Sequence, residues 1–174
     1  ILSATISSFS NYTTTTGYFC GTTITLDATL TSDLNGCPGD GIVIGASNII
    51  LDCAGFTIRG DGGATDAGVA SNAGDNNVTV KNCVIENFGI GIIFDDSDNS
   101  TIFNNTIQHV NIGGAGATII SFSNGTNANI SSNTIYNITA DAGGGPIGIS
   151  FSEGARGTSA NGIIYGNNFS LFSG

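Results

Sequence analysis

Several residue types are scarce or missing in this chain of 174 residues, and these absences narrow what the protein can do. The chain has no methionine or tryptophan and one histidine, and only Arg59, Lys81 and Arg156 are basic, against 13 acidic residues, for a net charge of −10. Nucleic-acid binding needs clustered Lys and Arg to neutralise phosphates, and docking on anionic lipid needs similar positive charge. We therefore expect no nucleic-acid partner.

Long apolar runs and zinc-binding patterns are also lacking. No apolar run reaches the roughly 18 residues of a membrane span, so we expect no membrane-spanning segment. The cysteines form no CxxC pair, and one histidine is too few for a typical Cys/His zinc site, so we expect no cofactor. The chain begins at Ile1 rather than at methionine, which predicts a product whose signal peptide has been removed.

The residues that are present favour an ordered β-structure. Glycine occurs 27 times, 40% of residues are hydrophobic and 9% are charged. Ile, Val and Thr, which are enriched in strands, are abundant, and the glycines suit turns. The chain is long enough for one domain with a sizeable core, and it shows no helical periodicity.

Five segments of the chain repeat one pattern. Each begins with an asparagine, numbered here as position 1; these are Asn48, Asn77, Asn99, Asn127 and Asn161. Position 4 is always apolar, being Leu51, Val80, Ile102, Ile130 and Ile164. In the last four segments positions 9 and 12 are also apolar, and a further apolar strand precedes each segment. The first segment carries two extra residues, which place Ile58 at its position 9. The starts lie 29, 22, 28 and 34 residues apart, so the pattern is constant while the connecting loops vary.

Short strands at such a period predict a solenoid whose coils stack on one another, about 4.8 Å apart. Positions 4, 9 and 12 would fill its core. Position 7 is Asn105, Asn133 and Asn167 in the last three segments. Stacked asparagines can hydrogen-bond along the stack, so these three residues predict an internal amide ladder.

The sequence "DGIVIGASNIILDCAGFTIRG", followed by "NNVTVKNCVIENFGIGIIF", resembles the right-handed parallel β-helix family. It is similar to the secreted β-helix repeats common in archaeal cell-surface proteins. The resemblance implies an all-β, right-handed parallel β-helix of about six coils over residues 40–174. Residues 1–39 would form an extended N-terminal segment, which is either a disulfide-pinned cap or a strand donated to a neighbouring subunit.

The four cysteines predict two disulfides rather than buried free thiols, and four cysteines allow three pairings. Cys53 and Cys83 occupy consecutive coils at nearly the same angular position, which favours a coil-to-coil bond between them. Cys20 and Cys37 would then pair and pin the N-terminal region.

Eight Asn-x-Ser/Thr sequons are candidate glycosylation sites, as expected for a protein outside the cell or on its surface. They begin at Asn11, Asn77, Asn99, Asn104, Asn124, Asn129, Asn137 and Asn168. Asn104 stands beside the predicted ladder residue Asn105, points outward and is free to carry sugar. The alternative is that these residues are only polar, outward-facing parts of the strands.

The densest acidic cluster is Asp95, Asp96 and Asp98. Paired carboxylates can act as acid and base on a glycosidic bond, and such a cluster is also a weak Ca²⁺ candidate. The family resemblance implies a comparison with pectin-degrading β-helix enzymes, some of which use paired aspartates. Their His-containing and Arg/Lys-containing motifs are missing here. We therefore expect a solvated turn, no catalytic residues and a structural role for His109.

The ends of the predicted solenoid suggest its function. The N-terminal segment is uncharged, and the repeat that starts at Asn161 has no helix, proline or lysine after it to protect an exposed edge. We expect the subunit of a glycosylated cell-surface filament that binds further copies of itself head-to-tail, through the β-helix ends or N-terminal strand exchange. The alternative is a glycan-binding, adhesive module; a carbohydrate-active lyase or hydrolase is least favoured.

Overall fold

The computed structural model describes residues 17–72, 74–112, 118–140, 147–152 and 161–170. Within these ranges the protein is all-β, and short parallel strands wind into a parallel β-helix of six coils, as predicted. The first three coils contain β1 (Thr22–Ile24), β2 (Ala28–Thr29), β3 (Leu34–Cys37), β4 (Ile42–Ile44), β5 (Ile50–Asp52), β6 (Thr57–Gly60), β7 (Ala67–Ser71), β8 (Thr79–Lys81) and β9 (Val84–Glu86). The last three contain β10 (Ile90–Asp95), β11 (Thr101–Phe103), β12 (Thr106–Gln108), β13 (Asn111–Ile112), β14 (Thr118–Ser123), β15 (Asn129–Ser131), β16 (Thr134–Tyr136), β17 (Thr139–Ala140), β18 (Ile147–Ser152), β19 (Ile163–Tyr165) and β20 (Asn168–Ser170).

Three six-stranded sheets form the sides of the solenoid, and each coil gives one strand to each sheet. Sheet 1 contains β1, β4, β7, β10, β14 and β18; sheet 2 contains β2, β5, β8, β11, β15 and β19; sheet 3 contains β3, β6, β9, β12, β16 and β20. A small additional pair joins β13 to β17. The described part of the chain offers no helix that is long and apolar enough to cross a membrane.

The predicted apolar positions form the core because each residue stacks on its equivalent in the next coil. In sheet 2, Ile102 pairs in register with Val80 on one side and Ile130 on the other, and all three are fully buried. Sheet 3 has the same arrangement at position 9, where Ile107 lies between Ile85 and Ile135. Burial of each such side chain contributes roughly 1.5–3 kcal/mol, so these columns stabilise the stack.

Aromatic residues continue the core along sheet 1. The rings of Phe94 and Phe122 meet edge to face with centroids 5.1 Å apart, and Phe122 stacks on Phe151 at 5.6 Å. Glycine is needed where the chain enters this sheet. A Cβ on Gly68 would lie 2.9 Å from the carbonyl oxygen of Gly91, so a side chain there would push neighbouring coils apart.

The two predicted disulfides are both present. Cys53 joins Cys83 across neighbouring coils, with their Cα atoms 4.7 Å apart. Cys20 joins Cys37 with a Cα–Cα distance of 5.2 Å, which attaches the segment before β1 to the end of β3. The described residues contain no free cysteine.

The solenoid begins earlier than the sequence suggested. Strands β1, β2 and β3 pair in parallel with β4, β5 and β6, so Thr22–Cys37 form the first coil rather than belonging to a separate segment that ends at residue 39. This coil lacks the asparagines that mark the other repeats. Asp27 and Asp33 instead accept hydrogen bonds from the backbone N–H groups of Ile50 and Thr57, at 2.9 and 2.8 Å. Residues 1–16 lie outside the described residues.

Candidate functional site

The last coil of the described structure exposes a cross-section of the core. Ile164 and Phe169 occupy positions 4 and 9 of the last coil, and they are 47% and 43% exposed. Their equivalents one coil earlier, Ile130 and Ile135, are 0% exposed. Ile163 and Tyr165 of the same coil are also exposed. We call this surface, made by Ile163, Ile164, Tyr165 and Phe169, the open face.

The N-terminal end is closed by comparison. The core residues of the first coil, Ile24, Ala28, Leu30 and Leu34, are all 5% exposed or less, and Tyr18 packs against the core there. Outside this covered core, Phe19 and Leu26 are 74% and 77% exposed. A shallow depression of about 240 Å³ lies beside β1, between Tyr18 and Leu26. The two ends of the described structure therefore present different surfaces.

The position-7 asparagines are inside the solenoid and hydrogen-bond to one another. Asn105 Nδ2 donates to Asn133 Oδ1 at 3.0 Å, and Asn133 Nδ2 donates to Asn167 Oδ1 at 3.0 Å. Each Oδ1 also accepts from a backbone N–H of the preceding coil: that of Cys83 donates to Asn105, that of Asn105 to Asn133, and that of Asn133 to Asn167. Asn105 and Asn133 are fully buried, so this network satisfies amides that would otherwise destabilise the core.

The ladder amides also bind the backbone behind them. Nδ2 of Asn105 donates to the carbonyl oxygen of Val80 at 3.1 Å, and Nδ2 of Asn133 donates to that of Ile102 at 3.0 Å. Asn167 donates to Ile130 at 2.9 Å in the same way. Asn105 and Asn133 therefore each tie together three consecutive coils, and Asn167 ties the last coil to the one before it.

Asparagines on the outside of the solenoid occupy corners that need left-handed backbone. At position 1, Asn48, Asn77, Asn99 and Asn127 have φ between 56° and 64°. Positions 6 and 11 are similar, with φ of 54° at both Asn104 and Asn137. Asparagine tolerates this conformation better than most residues do, and so the corner conformation accounts for much of the asparagine content.

Several corner side chains also bond across coils. Asn77 Nδ2 donates to Asn48 Oδ1 at 3.0 Å, and Asn127 Nδ2 donates to Asn99 Oδ1 at 3.2 Å. Asn104 Nδ2 donates to Asn82 Oδ1 at 2.8 Å. Asn104 is exposed, but its amide is engaged rather than free, since one of its two Nδ2 hydrogens is used.

The sequon asparagines differ in accessibility. Asn77, Asn99, Asn104 and Asn168 are exposed, whereas Asn124, Asn129 and Asn137 are half-buried. The side-chain oxygens of Asn124 and Asn129 are buried without a hydrogen-bond partner. Asn11 lies outside the described residues. The exposed asparagines are the better candidates for glycosylation, because a glycan attached there would extend into solvent.

The acidic cluster is divided among separate structural contacts. Asp95 accepts from Asn124 Nδ2 at 3.3 Å, and Asp98 Oδ1 accepts from both the backbone and the hydroxyl of Thr126 at 2.8 and 2.7 Å. Asp96 lies at a corner with φ of 52°. In the described ranges no three His, Cys, Asp or Glu residues are grouped so that they could hold a metal ion. The geometry gives the weak Ca²⁺ candidate no support.

Sequence reasoning missed a charged column on sheet 3. Arg59 Nε donates to Glu86 Oε1 at 2.5 Å, and Gln108 Nε2 donates to Glu86 Oε2 at 2.6 Å. The exposed His109 places Nδ1 3.9 Å from the same oxygen. Arg59, Glu86 and Gln108 all occupy position 10, and so comparison of that position across the repeats could have found the contact.

Two carboxyl groups have shifted pKa values. A hydrogen bond from the Asn82 amide, aided by Lys81 Nζ at 3.2 Å, lowers the pKa of Asp52. Burial raises the pKa of Asp75. Asp52 bonds to structural neighbours, so its lowered pKa reflects chiefly the Asn82 hydrogen bond, with Lys81 as a smaller cause.

No protein-family model, curated protein or solved structure matches this chain at a significant level. The fold and the surfaces described above therefore carry the functional argument.

Proposed function

We propose that this protein is a structural subunit of an extracellular, glycosylated cell-surface filament in which copies associate head-to-tail through the ends of the β-helix. The open face is the observation that carries this proposal. Its core side chains, Ile164 and Phe169, would be buried if another coil covered them, as their equivalents Ile130 and Ile135 are. Covering them would remove apolar surface from water, which favours association.

The backbone of the last coil supports the same association. Among the described strands, β18, β19 and β20 each pair with a neighbour on one side only. An edge strand with unpaired N–H and C=O groups is a template for another strand. Because the two ends of the solenoid differ, contact between them would be heterologous, and a heterologous contact that does not close produces a filament.

The lateral surface suits an extracellular location. Two disulfides favour an oxidising compartment. The exposed sequon residues Asn77, Asn99 and Asn104 are at the corners of the coils, so glycans attached there would cover the sides of the solenoid.

Assembly can be tested by static light scattering and electron microscopy over a concentration series. We expect polymers that lengthen with concentration. Ile164→Asp should abolish them, because it places a charge in the centre of the open face. Ile50→Asp is the matched control: it makes the same change at an exposed residue outside that face and should leave assembly unchanged. A wild-type chain that remains monomeric at its highest soluble concentration contradicts the proposal.

An adhesive, glycan-binding role is the second candidate, favoured by one feature of sheet 2. Phe103 and Tyr165 are exposed at the same position of coils two apart, with Ser131 between them in register. Exposed aromatic rings suit sugar stacking, although the Ser131 side chain between them is buried. Saturable binding to a glycan array that is lost in Phe103→Ala, by a protein that does not polymerise, would favour this candidate.

A further inference from the structure

The internal asparagine ladder has a direction. Asn105 and Asn133 each accept hydrogen bonds at Oδ1 from the coil before and donate from Nδ2 and the backbone N–H to the coil after. Asn167 ends the series. Its Nδ2 donates to the carbonyl oxygen of Ile130, but its second Nδ2 hydrogen and its backbone N–H have no acceptor within the described residues. The open face therefore presents two aligned donors beside the apolar Ile164 and Phe169.

These donors restrict what can cover the open face. A burying partner must supply an oxygen at this point, since a buried donor without an acceptor is costly. A two-fold axis passing close to the ladder would bring the donors of two open faces against each other. The polarity of the ladder therefore opposes a symmetric tail-to-tail dimer and favours a partner that offers an acceptor.

The closed N-terminal end indicates which part of a second copy could be that partner. The core of the first coil is already covered, so an intact first coil offers no open cross-section to match. Residues 1–16 precede this end along the chain. They contain no charged residue and include Ile1, Leu2, Ile6 and Phe9, so they can cover an apolar surface without burying charge. Fully extended, 16 residues span about 53 Å at roughly 3.3 Å each, enough to follow sheets 2 and 3 around one coil.

We propose that residues 1–16 of a second copy bind the open face as an added strand, with an oxygen of that segment accepting from the backbone N–H and Nδ2 of Asn167. This inference rests on the proposed function and names the contact that joins the subunits. Strand addition of this kind gains affinity from main-chain hydrogen bonds and specificity from side-chain pockets. Here the pockets are the exposed ends of the Ile164 and Phe169 columns.

A peptide of residues 1–16, added in excess to the full chain, tests this contact. It should cap open faces and shorten the polymers seen by light scattering, whereas a scrambled peptide of the same composition should not. Asn167→Asp removes the Nδ2 donors and should raise the peptide concentration needed for binding by about tenfold, the effect of one lost buried hydrogen bond. Asn161→Asp adds the same charge to an exposed residue of the same coil and should change little.

A second readout guards against misfolding of the Asn167 variant. In the unsubstituted chain, binding of the peptide should slow hydrogen exchange at the Asn167 backbone N–H, measured by NMR. Polymers that ignore the peptide would overturn this contact and leave head-to-tail assembly standing. Peptide binding to a chain that never polymerises would support the contact and overturn the filament. Equal binding of the scrambled peptide, or unchanged exchange at Asn167, would overturn the inference.

Discussion

At the scale of single residues, the left-handed backbone conformation is sufficient to explain the asparagines at the corners, without glycosylation. Asn82 and Asn104 hold the same corner in neighbouring coils with φ of 56° and 54°, and Gly166 takes that place in the last coil with φ of 63°. Glycine and asparagine are the residues that accept this conformation most readily. A sequon at such a corner can therefore arise from geometry alone, and occupancy has to be measured.

Substitutions at Asn104 distinguish its role in the backbone of the corner from a role as a glycan acceptor. In unglycosylated protein, Asn104→Gly should change stability little, whereas Asn104→Val should lower the free energy of unfolding by about 1–2 kcal/mol, because a left-handed β-branched residue is strained. Urea denaturation measures both. Thr106→Val removes the sequon but keeps Asn104, so mass spectrometry of this variant from the native host would show whether the site carries sugar. Equal stability of the Gly and Val variants would contradict the role assigned to the corner.

Residue contacts also show where sequence reasoning was limited. The ladder of Asn105, Asn133 and Asn167 was predictable because one residue type recurs at one position. The bond between Arg59 and Glu86 joins residues 27 apart in sequence, and these opposite charges indicate a contact only after the repeats have been aligned at position 10. The first coil was missed because Asp27 and Asp33 make its inter-coil contacts with carboxylates, so it lacks the asparagine pattern.

At the scale of elements, neighbouring coils are held by paired strands and by the ladder that crosses between them. Asn133 is its centre: it donates to Ile102 and Asn167 and accepts twice from Asn105. Apolar stacking alone would permit strands to slip, but an amide fixed on both sides permits one register. The ladder thus fixes the register between neighbouring coils at the turn from sheet 2 to sheet 3.

Replacing Asn133 tests this contribution. Asn133→Ala removes the partner of the Asn105 backbone N–H, of one Asn105 Nδ2 hydrogen and of the Ile102 carbonyl oxygen. Each buried group left without a partner costs roughly 1–3 kcal/mol, so we expect a loss of at least about 3 kcal/mol. Chemical denaturation gives the value. Asn161→Ala, at an exposed asparagine, is the control and should stay within about 0.5 kcal/mol of the parent. A loss below about 1 kcal/mol in the Asn133 variant would show that the ladder is dispensable for stability.

At the scale of the whole molecule, contacts are mainly between adjacent coils, so stability should vary along the axis. In repeat architectures each unit is stabilised chiefly by its neighbours, and regions with fewer buried contacts open more readily. Coils three to five are covered on both sides, and Cys53–Cys83 ties the third coil to the second. The last coil is covered on one side only within the described structure.

Native-state hydrogen exchange should reveal this gradient. In monomeric protein we expect the greatest protection at Val80, Ile102 and Ile107 and the least at Ile164 and Phe169. When polymers form, protection of the last coil should rise toward that of the interior. Uniform protection along the monomer would indicate that the chain unfolds as a single cooperative unit, contrary to this expectation.

The strands run across the axis of the solenoid, and this arrangement predicts the X-ray diffraction pattern of a filament. Six coils about 4.8 Å apart give one subunit a length of about 29 Å along the axis. A filament of coaxial copies would therefore scatter X-rays with a strong meridional reflection near 4.8 Å, the spacing usually read as amyloid. Here the reflection would come from a natively folded, disulfide-bonded protein, and the subunit length would distinguish it as a longer axial repeat.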